Sequence, residues 1–374
     1  MDALTIVLGF RNRDTERVKR CLDSLSRQTF QDFRVVIVDY GSDVTISEKL
    51  KALIAGYRSC AYVYTDTRGF PWNRAHALNI GGRLATSEYL LASDIDMIFA
   101  ENFVETLLNH AGHTRVLHCA PYWLPRRFSD WMNVEGYACK LALGDRNQFG
   151  GCQCMSTVLF REIRGFDEYY RYWGLEDHDL AYRLRSAELE EVWLDGHTSI
   201  FHQWHPKSNW RTRGFMPCQY WGRAVDHLMR YEGIMVRNGD DWGRIQKTEQ
   251  RLVLRYLDVA SSELADRDDL VVFGLPPDNN EAVGRLVERF WQLPSGHALA
   301  VDHAYYPRSG KLADGILRYL NSALRRLGAN TGVDYGQNLV HSFVHEFVVD
   351  NRDMIADYYL GFPALHGVSV LVRA

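Results

Sequence analysis

The sequence predicts an α/β fold, a mixed but mainly parallel sheet flanked by helices, and three observations lead there. An apolar run over Leu4–Phe10 precedes a segment with apolar residues at helical spacing. A continuous β-branched run, Phe33–Asp39, ends in the turn residues Tyr40-Gly41-Ser42-Asp43. A third apolar run, Glu88–Ser93, ends on Asp94 and Asp96. Strand, helix, buried strand and polar turn in that order open a βαβ unit, and such units place ligands at the carboxyl ends of parallel strands.

Each element has a local reason. Val18, Cys21, Leu22 and Leu25 recur at helical spacing after Asp14 or Thr15, either of which suits an N-cap. A weaker strand signal covers Ala61–Tyr64, and the turn-rich Arg68–Arg74 leads into a helix over Ala75–Leu84. Strands are expected within Val116–Pro125 and over Met155–Phe160, with Tyr137–Asn147 connecting them. Gly165-Phe166-Asp167 forms a turn, and Glu176–Ser186 reads as a helix whose acidic end lies at its N-terminus, as the helix dipole prefers. Thr198–Phe201 completes the strands. Composition shifts after Trp242: helical patterns dominate over 244–264, 281–290 and 312–327, around a Pro-Pro-Asp-Asn-Asn linker at 276–280. The expected organisation is a catalytic domain over 1–240 and a mainly helical region over 241–374.

Bulk properties narrow the function. At 374 residues, with 46% hydrophobic and 24% charged residues, the chain builds a real core and has the length for two domains. A net charge of -4 and a pI near 6.4 argue against a general nucleic-acid surface, whose affinity rests on phosphate neutralisation. The first ten residues lack a basic n-region and read as a buried strand rather than a signal peptide. No apolar run reaches the roughly 18 residues of a membrane span. Seven cysteines, an odd number, suit reduced thiols and a cytoplasmic location, and the single residue between Cys152 and Cys154 is a poor spacing for a zinc or redox motif.

Three constellations carry chemistry. Asp94-x-Asp96 at a strand end offers hard oxygen ligands, one or both of which suit Mg²⁺ or Mn²⁺ against a diphosphate. His202 and His205 follow a strand and offer imidazole to a divalent ion; the alternative for either is a packed histidine among Phe201, Trp204 and Trp210. The run Trp173-Gly174-Leu175-Glu176-Asp177-His178-Asp179 crowds like charges, which costs free energy unless they bind something or splay apart. Glu176 and Asp177 point about 100° apart on a helix and so take different tasks, one orienting an acceptor hydroxyl and the other removing its proton. Asp179 reads as an ordinary helix-start carboxylate. Phe10-Arg11-Asn12-Arg13 lacks the glycines of a dinucleotide loop.

Gly150-Gly151-Cys152, Phe160-Arg161, Gly165-Phe166-Asp167-Glu168, Trp173-Gly174-Leu175-Glu176-Asp177 and Arg183 resemble the carboxy-terminal half of GT-A glycosyltransferases, most of all the galactosyltransferase, N-acetylgalactosaminyltransferase and chondroitin-polymerase-like branches. Thr5-Ile6-Val7, Leu25–Phe30, Val36–Ser42, Arg74, Ala75 and Asn79 resemble family 2 glycosyltransferases, and the likeness spans about residues 3 to 210. It implies a GT-A, Rossmann-like fold and a nucleotide-sugar donor, with UDP-galactose, UDP-N-acetylgalactosamine or UDP-N-acetylglucosamine favoured and a glycan or other hydroxyl acceptor. It further implies that Asp39 contacts the base, that Asp96 with Asp94 holds Mn²⁺ or Mg²⁺ and the ribose-diphosphate, and that His202 or His205 completes the metal shell. Asp177 is then the general base of an inverting transfer, Glu176, Trp173 and Gly174 shape the sugar pocket, and Arg11 and Arg74 contact phosphate or nucleotide. Tyr40 stands where family 2 members often carry a second Asp, so stacking is a substitute there. The competing classes are a nucleotidyltransferase, which calls for a glycine-rich basic loop after the first strand, and a non-catalytic glycan-binding module, which suits 10 Trp and 20 Tyr.

Overall fold

The computed structural model describes residues 2–172, 174–187, 189–205, 220–257, 267–274, 280–302, 344–360 and 368–374. The chain forms two compact units, one of Met1–Ser208 with Gly222–Thr248 and one of Asn209–Trp221 with Glu249–Ala374.

In the first unit β1 (Leu4–Phe10), β2 (Phe33–Tyr40), β3 (Cys60–Thr65), β4 (Tyr89–Asp94), β6 (Arg115–His118), β9 (Gln153–Ser156) and β10 (Glu190–Trp193) make a seven-stranded sheet in the order β10-β6-β9-β4-β1-β2-β3. The pairs β1/β2, β1/β4, β2/β3 and β6/β10 are parallel, and β9 runs antiparallel to β4 and β6. This is the mixed, mainly parallel sheet that the pattern predicts.

Side chains of β1 alternate between two cores, as strand geometry requires. Leu4, Ile6, Leu8 and Phe10 share a core with Val18, Cys21, Leu22 and Leu25 of α1 (Thr15–Ser26), Leu50 and Ile54 of α2 (Val44–Ile54) and Phe103 and Leu107 of α4 (Phe103–His110); the N-cap of α1 is Asp14, accepting from Glu16 N. Val7 faces the other way, onto a cluster with Ala75 and Leu78 of α3 (Arg74–Leu84), Phe160 of α5 (Thr157–Glu162), and Leu180 and Leu184 of α6 (Glu176–Ser186).

Two expectations shift in detail. The run Met155–Phe160 is strand only to Ser156, whose hydroxyl accepts from Leu159 N and turns the chain into α5. Val116–Pro125 splits between two sheets, because β7 (Pro121–Trp123) joins β5 (Met97–Phe99), β8 (Ala142–Leu143) and β11 (Ile200–His202) in a small sheet of order β5-β11-β7-β8.

The second unit adds strands to the helices expected of the C-terminal region. Among its described residues a four-stranded sheet stands beside the helices Asn280–Gln292 and 344–350: Leu270–Gly274 pairs parallel with Ala298–Asp302, which pairs antiparallel with Val368–Arg373, itself antiparallel to Ile355–Tyr359. Leu270-Val-Val-Phe-Gly274 and Val368-Ser-Val-Leu-Val-Arg373 are β-branched runs of strand length, a signal that the helical spacing around them masks. The helical pattern at 312–327 lies outside the described residues.

Helix α6 is fixed by its fourth residue. Asp179 is fully buried rather than an ordinary helix-start carboxylate, and its oxygens meet Arg183 Nε at 2.7 Å and Arg237 Nη2 at 3.1 Å. Arg183, 1% exposed, also donates to the carbonyls of Gly165 and Met235. Burial pushes the Asp179 carboxyl up and the Arg183 guanidinium down despite the pairing. Desolvation therefore offsets the Coulomb gain, and the network locates the helix more than it stabilises the fold. Removing one partner is another matter: Asp179→Asn leaves two buried guanidiniums short of their anion. Urea denaturation is expected to show unfolding free energy lower by about 3–5 kcal/mol, and an unchanged midpoint contradicts this role.

Candidate active site

The site gathers around one guanidinium. Asn73 caps α3, accepting from His76 N at 2.8 Å, and so places Arg74 in the first helical turn beside the carboxyl end of β4. From there Arg74 Nε donates to Asp94 Oδ1 at 2.8 Å, Nη2 donates to the Gly150 carbonyl at 2.8 Å, and Nη1 reaches Glu176 Oε1 at 3.5 Å. Gly150 is where these groups close in: a Cβ on it would lie 3.0 Å from Asp94 Oδ2, 3.5 Å from Asp177 Oδ2 and 3.8 Å from Arg74 Nη2. Gln153, on β9, fixes the start of α6 from the sheet by donating to the Asp177 carbonyl.

The chain enters α6 through left-handed backbone, with φ of 65° at Tyr172, 86° at Gly174 and 75° at Leu175. For the two residues with a Cβ this conformation costs roughly 1–2 kcal/mol each. Strain of this kind collects at functional sites, where surrounding structure over-determines the backbone. Here it delivers Glu176 and Asp177 together to the first turn of α6. Trp173 lies outside the described residues.

The two neighbouring carboxylates are driven apart in proton affinity. Burial, with the Asp177 charge added, pushes Glu176 up to about 7 against the pull of Arg74. Burial also works to raise Asp177, but hydrogen bonds from His178 and the Arg74 charge hold it below the usual carboxylate range. A pair tuned in opposite directions has one member ionised and one carrying a proton near neutrality, the arrangement that separates acid-base roles.

A second cluster lies one turn beyond β4. Asp96 sits in the turn between β4 and β5, and β11 runs antiparallel to β5 with His202 opposite Met97. Gln203 N donates to the Asp96 carbonyl, which ties the residue after His202 to the same turn. His202 Nε2 stands 3.7 Å from Asp96 Oδ1, and His205 Nε2 stands 3.5 Å from Oδ2. One ligand atom from each of the three residues falls within 4.8 Å of the others. Ligands that bind one cation at roughly 2.0–2.2 Å sit about 3–4 Å apart, so one carboxylate and two imidazoles at this spacing fit a divalent transition ion. His202 Nδ1 is buried without a hydrogen-bond partner among the described residues. Both histidines thus join Asp96, while Asp94 turns to Arg74.

The remaining predicted residues hold loops. Asp39 is buried, and accepts from Ser42 N at 3.0 Å, Ser47 Oγ at 2.5 Å and Tyr62 Oη at 2.9 Å. Arg11 donates to the carbonyls of Phe70 and Thr67. Gly41 lies against that loop at φ 70°, where a Cβ would come within 2.8 Å of the Thr67 backbone. Tyr40 is buried, edge-to-face with Trp72 and hydrogen-bonded to His76 Nδ1, so its ring serves packing. Sequence reasoning gave no role to Gly150 or His178; a histidine directly after the candidate base was the available signal for the latter.

Comparison with known proteins bears on this geometry. Residues 5–161 match the profile described as Glycosyl transferase family 2, and residues 131–206 match the one described as N-terminal domain of galactosyltransferase. Beta-1,4-galactosyltransferase 4 of Homo sapiens is 27% identical over 201 residues, which is 47% of this chain and 53% of that protein. Validoxylamine A glucosyltransferase of Streptomyces hygroscopicus subsp. limoneus is 28% identical over 220 residues, 49% of this chain and 48% of its own length. The chain thus spans about half the length of these curated relatives. A solved mannosyltransferase from Pyrobaculum calidifontis aligns over 94% of this chain and 87% of its own at 17% identity and a TM-score of 0.43. Together the two family matches cover residues 5 to 206 and make this region similar to glycosyltransferases.

The sign of one pH effect follows from the site. Folding raises the Glu176 pKa from 4.5 to about 7, so the folded state holds a proton that the unfolded chain releases. The associated stability is full below the lower value and is lost as pH rises through the upper one. Chemical denaturation at pH 5 and pH 8 is expected to show a fall in stability on the order of 2 kcal/mol larger in wild type than in Glu176→Gln. Equal slopes in the two proteins contradict the raised pKa.

Proposed function

We propose that the protein is a metal-dependent, inverting glycosyltransferase that moves a hexose from a UDP-sugar to a hydroxyl acceptor. The observation that carries this is Asp177: a carboxylate held in its ionised form, whose Oδ2 lies beside Gly150 near Asp94, in a domain that also gathers Asp96, His202 and His205. Those three residues would hold Mn²⁺ or Mg²⁺, which when bound supplies positive charge against the diphosphate leaving group. Asp177 takes the proton of the acceptor hydroxyl, and Glu176, neutral up to about pH 7, donates or accepts a hydrogen bond to the sugar without adding a second charge. Attack from the face opposite the departing diphosphate inverts the anomeric centre. The Arg74 guanidinium keeps the Asp94 carboxylate and the Glu176 carboxyl group in place around the sugar.

The relatives named above are galactosyl and glucosyl transferases, and a further one is a putative polypeptide N-acetylgalactosaminyltransferase of Drosophila melanogaster. UDP-galactose and UDP-N-acetylgalactosamine are therefore the donors to test first, followed by UDP-N-acetylglucosamine, which the sequence resemblance implies. Asp39 and Arg11 hold the loops proposed to border the donor, and Gly174 is proposed to line it. The six described cysteines are unpaired, and we place the protein in the cytoplasm on that ground. No described helix is long and apolar enough to cross a membrane.

Asp177→Asn keeps the shape and removes the base. Transfer from the preferred UDP-sugar is expected to fall by at least roughly 10²–10⁴-fold, while thermal shift with UDP and Mn²⁺ still shows stabilisation like wild type. Near-normal turnover in this variant removes Asp177 as the base. In wild type, EDTA is expected to stop transfer and added Mn²⁺ to restore it.

A further inference from the structure

The geometry points to His178 as a positioning residue: it holds Oδ1 of Asp177 and thereby commits Oδ2 to the acceptor hydroxyl, an inference that rests on Asp177 being the base. Oδ1 accepts two hydrogen bonds from this one residue, from its backbone N at 2.9 Å and from ring Nδ1 at 2.9 Å. The other oxygen, Oδ2, is the one that faces Gly150. A carboxylate with one oxygen accepting two hydrogen bonds presents the other as its basic site, so His178 decides which oxygen meets substrate.

The ring is held where this requires it. It stands edge-to-face to Phe149 at 5.4 Å between centroids, and to Tyr182, one turn along α6, at 6.2 Å. Phe149 directly precedes Gly150, so the segment that packs beside Asp94 and Asp177 also orients the histidine. The charged groups around the pair are Glu176 and Arg185 on α6, Arg74 on α3 and Asp94 at the end of β4. The hydrogen bond to Asp177 raises His178 above its ordinary value, and the same contact lowers Asp177. Because the ring donates through Nδ1, the pairing persists when the imidazole is neutral.

The test uses the full chain labelled with ¹³C at the aspartate carboxyls, with Asp177→Asn to assign the resonance. His178→Phe keeps a ring between Phe149 and Tyr182 and removes the donor, whereas His178→Asn returns an amide donor. The phenylalanine variant is expected to move the Asp177 midpoint up by about one unit and to lower kcat roughly ten- to a hundredfold with donor KM unchanged. The acid limb of kcat/KM is expected to follow the midpoint, and the asparagine variant to recover part of both. A midpoint and kcat that stay at wild-type values in His178→Phe overturn the inference. A midpoint that moves while the rate does not refutes Asp177 as the base and leaves the pairing itself supported.

Discussion

The candidate site depends on the placement of Arg74. A single planar guanidinium joins the start of α3, the carboxyl end of β4, the loop before β9 and the first turn of α6, through Asp94, the Gly150 carbonyl and Glu176. Burial disfavours its charge, but the surrounding carboxylates outweigh that and hold it protonated. Without this cation Asp94, Glu176 and Asp177 would face one another in a poorly solvated pocket, and repulsion would protonate them or drive them apart. A lysine offers a point charge in place of the fork that meets three acceptors on separate elements.

Given that anchor, the chemistry divides between two centres. Around Arg74 two adjacent carboxylates sit in different proton states, Asp177 ionised and Glu176 neutral to about pH 7. Around Asp96 a carboxylate and two imidazoles converge with the spacing of a cation's ligands. Both centres use the carboxyl ends of parallel strands, where a sheet of this class leaves its crevice. The backbone strain before α6 and the buried Asp179 network serve the same end, since together they fix the helix that carries both Glu176 and Asp177.

Much of this was legible in the sequence. The strands over Leu4–Phe10 and Phe33–Tyr40 announce themselves as unbroken β-branched or apolar runs, and Asp94, Asp96, Glu176, Asp177, His202 and His205 stand out as chemistry-bearing residues at element ends. The partition between Asp94 and Asp96 was not legible. It depends on β4 ending at Asp94, so that Asp96 falls in a turn, and on a three-residue strand pairing that brings His202 alongside. Pairings that short leave almost no periodic signal. The burial of Asp179 could have been inferred from Arg183 four residues on, a helical ion-pair spacing flanked by Leu180 and Leu184. In the second unit, β-branched segments five or six residues long were outweighed by helical spacing in longer segments beside them.

Asp96, His202 and His205 are proposed to hold a divalent ion against a nucleotide diphosphate, next to Asp177 as the proposed base. Electron–nuclear double resonance on the Mn²⁺-loaded protein tests it most directly. The expected result is ¹⁴N couplings from two imidazoles, and a ³¹P coupling that appears when UDP is added. A manganese spectrum that shows water protons alone, with no ¹⁴N coupling and no response to UDP, contradicts it.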